Sequence, residues 1–387
     1  MQAIERLIRE YCPDGVEFVP LNAAAKLQRG TAITRKDIGD GPFPVVAGGQ
    51  KPAYYCESYN RDGETITVAG SGAYAGYVAY WNEPIFVSDA FSIKGNGNTS
   101  TRYLFHVLQN LQEKIYATKK GGGVPHVHIS SIENFSIPLP PLPVQQEIVR
   151  ILDSFTELTA ELTAELTARR RQYEHYRDEL LTFGDDVPKV RLGDIAIGMY
   201  RGAGIKREDV TPIGTPCIRY GEIYTTYNIA FEVCKSYTNV NSISSPKYFE
   251  HGDILFAITG ESVEDIAKSV AYIGHDKCLA GGDIVVMKHK QNPRYISYAL
   301  SSSAVRKQIC KGKIKSKVVH TSIPDLKEVK IPIPSLTEQN RIADLLDEFH
   351  QLCNDAKFSL PAEIAARQKQ YEYYRDKLLT FQEKKGE

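Results

Sequence analysis

His126-Val-His128 sets two imidazoles on one face of an extended segment, a spacing able to chelate a metal ion. No cysteine or third ligand stands near them in sequence, so a surface or nucleic-acid contact suits the pair better. Pro324-Asp-Leu-Lys-Glu-Val-Lys330 places an acidic residue ahead of Glu-x-Lys, an order many metal-dependent nucleases use. Asp325 and Glu328 are, however, separated by only two residues, too few for carboxylates drawn from two strands. Gly70-Ser-Gly-Ala-Tyr-Ala-Gly76 lacks the lysine and the strand-to-helix frame of a phosphate loop, and no G-x-x-x-x-G-K-[ST] occurs.

The more persistent signal is cationic. Lys307–Lys317 (KQICKGKIKSK) and Thr118-Lys-Lys-Gly-Gly-Gly123 are lysine–glycine loops whose side chains can reach phosphate oxygens. Such a run is often only a solvated loop, but here it recurs shortly before a proline-rich stretch in both halves of the chain. The contacts expected from it are Lys119 and Lys120 in one half and Lys311, Lys313, Lys315 and Lys317 in the other, with His126 and His320 closing the loops in register. Base edges are read by Arg, Lys, Asn, Gln and Glu presented in the major groove. Loop positions suited to this are Gln50, Lys51, Asn60, Ser71 and Tyr74 in the first half, and Arg201, Lys206, Arg207, Arg219, Tyr220 and Glu261 in the second. Any one of these, taken singly, is more often a plain surface residue, and they do not give the bases read.

These residues need a frame, and the sequence writes that frame twice. Ala168–Phe183 (ARRRQYEHYRDELLTF) returns as Ala366–Phe381 (ARQKQYEYYRDKLLTF), with twelve of sixteen positions identical at an offset of 198. Each copy closes a long apolar-periodic segment that follows a proline hinge, Pro138-Leu-Pro-Pro-Leu-Pro143 or Pro332-Ile-Pro334. Weaker collinear matches join the regions before the hinges. Asp14–Leu21 resembles Asp185–Leu192, Gly63–Val68 resembles Gly252–Ala257, Val78-Ala-Tyr80 returns as Val270-Ala-Tyr272, and Arg102-Tyr103 as Arg294-Tyr295. A tandem duplication predicts two versions of one mixed α/β domain, at 1–138 and 184–334, and two helical regions, at 139–183 and 335–387. Residues 1–12 read as helix and Val16–Leu21 as a short strand.

The first long helix is expected from near Val144 to Phe183. Ile148, Ile151, Phe155, Leu158, Leu162, Leu166, Tyr173, Tyr176 and Leu180 form a stripe spaced by three and four, and Ile342 to Leu378 repeats it. Some 40 residues make a rod of about 60 Å. Two such rods in one chain most simply pair antiparallel, relating the domains by a pseudo-twofold axis. Pro361 interrupts the second stripe and is expected to open a new helix capped by Ser359. Within the first rod, Glu157–Ala168 repeats the unit Thr-Ala-Glu-Leu. As structure this is a solvated helix with a leucine seam. As a spacer, four residues add about 6 Å and a turn plus about 40°, against about 3.4 Å and about 35° for one base pair.

Net charge is zero, with 47 basic and 47 acidic side chains, so bulk charge argues for no polyanionic partner. The balance is uneven along the chain: residues 184–334 carry 21 basic against 16 acidic groups, while 1–138 carries 13 of each. Seven cysteines without C-x-x-C spacing suit buried thiols in a reducing compartment. No apolar run approaches the ~18 residues of a membrane span, so a cytoplasmic protein without a membrane partner is expected.

The duplicated helices, their P-L-P-x-Q-Q-E-I and P-S-L-x-E-Q-N-R-I entries, the Thr-Ala-Glu-Leu units, and Gly48-Gly-Gln-Lys-Pro52 with Tyr59-Asn60 together resemble the specificity subunit of type I restriction-modification enzymes. The resemblance implies two target recognition domains, each reading one part of a bipartite asymmetric site in double-stranded DNA. It also implies that the helices set the gap and dock two modification (methyltransferase) subunits, with two restriction (motor and nuclease) subunits completing the assembly. No cofactor is expected in this chain; S-adenosylmethionine, ATP and Mg would serve the partners, which carry out adenine methylation and ATP-driven cleavage. Consistent with a non-catalytic chain, no Asn or Asp precedes Pro-Pro and an aromatic, the motif with which the related methyltransferases hold a flipped adenine. The competing reading is a scaffold without DNA contact, which leaves the paired basic loops without a purpose.

Overall fold

The computed structural model describes residues 2–34, 36–313, 318–354 and 360–384. By internal contacts the chain divides into two units, 1–163 with 363–387, and 164–362.

In the first unit the strands are β1 (Phe18–Pro20), β2 (Ala25–Arg29), β3 (Ile38–Gly39), β4 (Phe43–Val46), β5 (Tyr54–Cys56), β6 (Thr65–Ala69), β7 (Val78–Trp81), β8 (Phe86–Val87), β9 (Ala90–Gly95) and β10 (Ser136–Pro138). They build two four-stranded sheets, ordered β2-β9-β6-β7 and β3-β5-β4-β8, plus the antiparallel pair β1-β10. Strand β6, Thr-Ile-Thr-Val-Ala, is buried along its whole length, which suits its run of β-branched residues.

The second unit contains β11 (Lys189–Arg191), β12 (Gly198–Arg201), β13 (Val210–Thr211), β14 (Thr215–Ile218), β15 (Ala230–Phe231), β16 (Ser236–Thr238), β17 (Tyr248–Phe249), β18 (Ile254–Ala257), β19 (Thr259–Gly260), β20 (Ser269–Tyr272), β21 (Cys278–Ala280), β22 (Ile284–Lys288), β23 (Val319–His320) and β24 (Lys330–Pro332). Its sheets are ordered β12-β22-β18-β20-β15 and β13-β16-β14-β21-β17. Each repeats the order of its counterpart and adds one edge strand, β15 or β17. The one parallel contact of the smaller sheet is kept as well, β4 on β8 and β14 on β21. The two halves are thus one domain type, as the duplication predicts.

The strand register corrects two of the sequence matches. Ile66 and Val68 face the core that receives the helices, and so do Ile254 and Phe256, whereas Leu255 and Ala257 face the other cluster. Ile66 therefore corresponds to Ile254, one residue away from the match read between Gly63–Val68 and Gly252–Ala257. Val78 and Val270 slip in the same way, because Val68 pairs with Val78 and Phe256 with Ser269. A slip of one residue moves every side chain to the opposite face, so burial fixes the register where residue similarity does not.

The first long helix spans Leu142–Leu180 and opens inside the proline run, where Pro143 falls in the first turn and forfeits no hydrogen bond. Gln145, fully buried, anchors that turn. Its Oε1 accepts from the Ser100 N–H (2.9 Å), and its Nε2 donates to the Asn98 and Pro140 carbonyls (2.8 and 2.7 Å). Gln339 repeats this in the second unit, accepting from the Asn292 N–H (3.0 Å) and donating to Pro334 O and Gln291 Oε1 (both 2.8 Å). The second helical region forms helices Leu336–Asn354 and Leu360–Leu379. Pro361 stands in the first turn of the latter, as expected, while Ser359 and Ala356 lie outside the described residues.

Within the first unit, Val144, Ile148 and Leu152 from the start of the first long helix share a core with Leu378 and Leu379 from the end of the last. The two segments therefore run in opposite senses there, and Phe155 stacks on Tyr374 (5.3 Å, 18°). Within the second unit, Leu181 joins Ile342, Ala343 and Leu346 in one core, and Tyr176 stacks on Phe349 (5.7 Å, 20°). The stacking partners exchange helices between the two units. Each fully buried aliphatic side chain at these seams contributes about 1.5–3 kcal/mol.

Candidate nucleic-acid interface

Arg102 pairs with Asp153 at 2.8 Å, and Asp153 also meets the fully buried His106 at 2.9 Å. The second unit repeats the clamp with Arg294 and the Tyr298 hydroxyl (2.7 Å) on Asp347. Burial works to raise the Asp153 carboxyl, but hydrogen bonds from His106 and Arg102 outweigh it and hold its pKa below the ordinary value. Tyr103 and Tyr295, also fully buried, donate to the Pro138 and Pro332 carbonyls at 3.0 and 2.9 Å. These contacts fix each helix start against its sheet, so the loops at the sheet ends are carried on a rigid base.

In the first unit, β6 runs into the Gly70–Gly76 turn, whose Ser71 bridges His126 backbone to backbone. Lys120 and His126 exchange backbone hydrogen bonds (3.0 and 2.8 Å), closing the glycine loop as a hairpin with Gly121 at φ 112°. The Lys119 ammonium lies 4.2 Å from the centre of the Tyr116 ring, and the His126 and His128 rings stack at 6.0 Å. Gly48 lies so close to this turn that a Cβ would stand 2.4 Å from the Ser71 carbonyl. That approach sets the exposed Gln50–Lys51 loop beside Ser71 and the exposed Tyr74. A cleft of about 180 Å³ is lined by Arg29, Ser88, Asp89, His126 and His128, and the Ser71 hydroxyl donates to Asp89. Asn60 stands apart from this group. Its amide is engaged at both ends by Val87, with Nδ2 donating to Val87 O (2.9 Å) and Oδ1 accepting from Val87 N–H (2.7 Å).

In the second unit, Lys206, Arg207, Arg219 and Tyr220 line one cavity of about 630 Å³ together with Asp283. Arg201 joins through its ion pair with Asp283 (2.5 Å). Arg219 lies 3.7 Å from Glu222, and its Nε is buried with no hydrogen-bond partner among the described residues. Glu261 lines a neighbouring cleft of about 520 Å³ with Tyr220 and Thr259. Tyr224 lines this second cleft, donating to Thr259 O at 3.2 Å; burial pushes its phenol up to about 12, so it remains a neutral donor. His320 Nδ1 meets Thr259 Oγ1 at 3.1 Å on the β19-β23 pair. Lys311 is exposed, Lys313 pairs with Asp325 (2.9 Å), and Lys315 and Lys317 lie outside the described residues.

The acidic motif is spent on structure: Asp325 closes a capping box with Ser322, and Glu328 meets Arg191 at 3.5 Å. Among the described residues no group of three or more His, Cys, Asp or Glu could hold a metal ion, and no helix is long and apolar enough to cross a membrane.

A family model described as the type I restriction modification DNA specificity domain matches residues 13–169 and 185–366, one copy for each half. The chain belongs to this family. It is a type I specificity subunit, and its task is recognition of DNA sequence. A putative type I restriction enzyme specificity subunit of Haemophilus influenzae is 30% identical, over 95% of this chain and 96% of that protein. The EcoR124I/EcoR124II specificity subunit of Escherichia coli is 28% identical, over 98% and 97%. The crystal structure of the S subunit of a type I system from M. genitalium has the same fold at TM-score 0.59 and 16% identity, covering 94% of this chain and 96% of that one. Membership does not favour the scaffold reading.

Within this specificity chain, sequence reasoning passed over Arg29 and the pair Asp89 and Asp283. Backbone pairing makes them equivalent to residues of the other half. Gly30 N–H donates to Ala90 O and Gly202 N–H to Ile284 O, which aligns Arg29 with Arg201; Gly70 N–H donates to Asp89 O and Ile258 N–H to Asp283 O, which aligns the aspartates. The one signal for this in sequence was the dipeptide Arg-Gly at 29–30 and 201–202.

Proposed function

We propose that each globular half of this specificity chain reads one part of a bipartite, asymmetric site in double-stranded DNA, and that the helices set the gap and dock two modification subunits. The observation carrying this reading is the pair of sheets in the same strand order whose connecting segments differ in length where the polar clefts lie. Two partners of one frame with unequal loops suit two half-sites of unequal sequence. Two restriction subunits complete the assembly. Methyl transfer from S-adenosylmethionine and Mg- and ATP-dependent translocation with cleavage belong to those partners, and this chain supplies no catalytic group. Phosphate contacts come from Lys119, Lys120 and Lys311, and base contacts from Gln50, Lys51 and Tyr74 in one half and Lys206, Arg207, Arg219, Tyr220 and Glu261 in the other.

Leu158, Leu162 and Leu166 are half-buried along the repeat, with Glu157, Glu161 and Glu165 exposed between them. A further Thr-Ala-Glu-Leu inserted after Leu166 should widen the recognised gap by about one base pair, since four helical residues add about 6 Å, and leave both half-sites unchanged. Methylation mapping of the assembled complex reads the gap directly; an unaltered gap would sink the spacer assignment.

A further inference from the structure

Arg29 and Arg201 occupy the same place in the two halves. Each ends the edge strand of the larger sheet, opposite Phe91 in one half and Val285 in the other, and each is followed by a glycine pressed against the neighbouring loop. A Cβ on Gly30 would stand 2.1 Å from Ser88 O, and one on Gly202 2.1 Å from Gly281 O. That close packing holds the arginine backbone at one height in both halves. Around it the same types recur: Asp89 and Asp283, the hydroxyls of Ser71 and Thr259, and His126 and His320. The charge is poised differently. Asp283 pairs with Arg201, whereas Asp89 is taken by the Ser71 hydroxyl, and the exposed Arg29 guanidinium has no partner among the described residues.

A side chain that reads a base differs between two halves that read different bases, whereas one that grips the sugar-phosphate backbone serves equally in both. The segments that differ most in length are those joining β4 to β5 and β14 to β16. Val45 pairs with Tyr54 across eight intervening residues, and Cys217 with Ser236 across eighteen. We propose that Arg29 and Arg201 are equivalent phosphate contacts, one per half, on which the duplex is seated independently of sequence, while base recognition falls to the segments in which the halves differ, the unequal β4–β5 and β14–β16 segments among them. Asp283 positions Arg201 until phosphate takes its place, and Asp89 positions the Ser71 hydroxyl beside Arg29.

The inference rests on the DNA-reading function proposed above, and the test separates the two. The complex with its modification subunits is titrated over a range of salt, on a duplex carrying its mapped motif and on one with a half-site scrambled. Arg29→Gln and Arg201→Gln should each weaken binding to both duplexes by the same factor and lower the salt slope by about 1, the share of one phosphate contact. Arg29→Lys should keep the slope, and the methylated motif should be unchanged in all three variants. A variant that alters the preferred base at any position would overturn the inference, as would glutamine variants with the wild-type slope. Failure of the wild-type complex to prefer its motif duplex would defeat the DNA-reading proposal instead.

Discussion

Set side by side, the two halves differ in their loops far more than in their frame. Strand order, the buried glutamine at each helix start, the tyrosine on the last proline strand and the arginine–aspartate clamp all recur. The second half then adds ten residues between β14 and β16, the difference between eighteen and eight. It lengthens the turn after the central strand too: six residues separate Ala69 from Gly76, and nine separate Ala257 from Ala267, each pair closed by the same backbone hydrogen bond. The additions fall where Arg219, Tyr220 and Glu261 line the clefts. A duplicated domain can change what it contacts at little cost when insertions stay in surface segments, since loop length enters stability only logarithmically.

The comparison breaks most readily at the glycines that fix the arginines. Gly30→Ala and Gly202→Ala should each destabilise the unit concerned by about 3 kcal/mol, because the added methyl meets a backbone carbonyl rather than a movable side chain. Gly198→Ala, in the same strand as Arg201 but with open space around it, should be neutral or mildly stabilising. Denaturant unfolding of the assembled complex compares the three, and equal effects at Gly30 and Gly198 would refute the close-packing argument.

A smaller effect is expected at the clamp. Asp153→Ala strands Arg102 and His106, whereas Asp347→Ala strands the Tyr298 hydroxyl and leaves Arg294 its second ion pair, with Asp344 at 2.8 Å. With side chains 25% and 30% exposed, each aspartate sits between surface and core, so a loss of about 2 kcal/mol is expected for Asp153 and a smaller one for Asp347, where Asp344 still pairs with the arginine. Equal losses, from the same unfolding measurement, would mean that Asp344 gives Arg294 no support.

The smallest effect separates the halves by pH. Burial lowers the pKa of His106 below the ordinary imidazole value, against the hydrogen bond to Asp153 that raises it. The unfolded chain takes up this proton near pH 6.5 and the folded unit resists it, so the stability contributed by a neutral His106 is present above that pH and lost as pH falls toward the folded value. His106→Tyr, which copies Tyr298, should flatten the acid side of the profile for the first unit. Hydrogen exchange along Thr101–Asn110 between pH 7 and pH 5 is the readout, and an unaltered profile would remove His106 from the account.

The long helices were legible because twelve of sixteen residues repeat at their ends and because hydrophobic spacing survives divergence. The polar frame was not, for a physical reason. Insertions in successive segments shift the offset between equivalent residues from 172 at Arg29 and Arg201 to 194 at Asp89 and Asp283, so no constant spacing reveals them. The strand match failed by one residue because β-branched and aliphatic side chains look alike on both faces of a buried strand. Lys206, Arg207, Arg219 and Tyr220, chosen from loop position, do meet around one cavity, while Asn60, chosen the same way, is bound to the backbone of Val87.

The central claim is that each half reads its own part of one site. Co-expression with the modification subunit, followed by genome-wide mapping of methylated adenines before and after residues 184–334 are exchanged for the corresponding half of a relative, tests it most directly. The account predicts a bipartite motif with a fixed gap in which one side alone changes. A change on both sides, or an assembled complex with no bipartite motif, would contradict it.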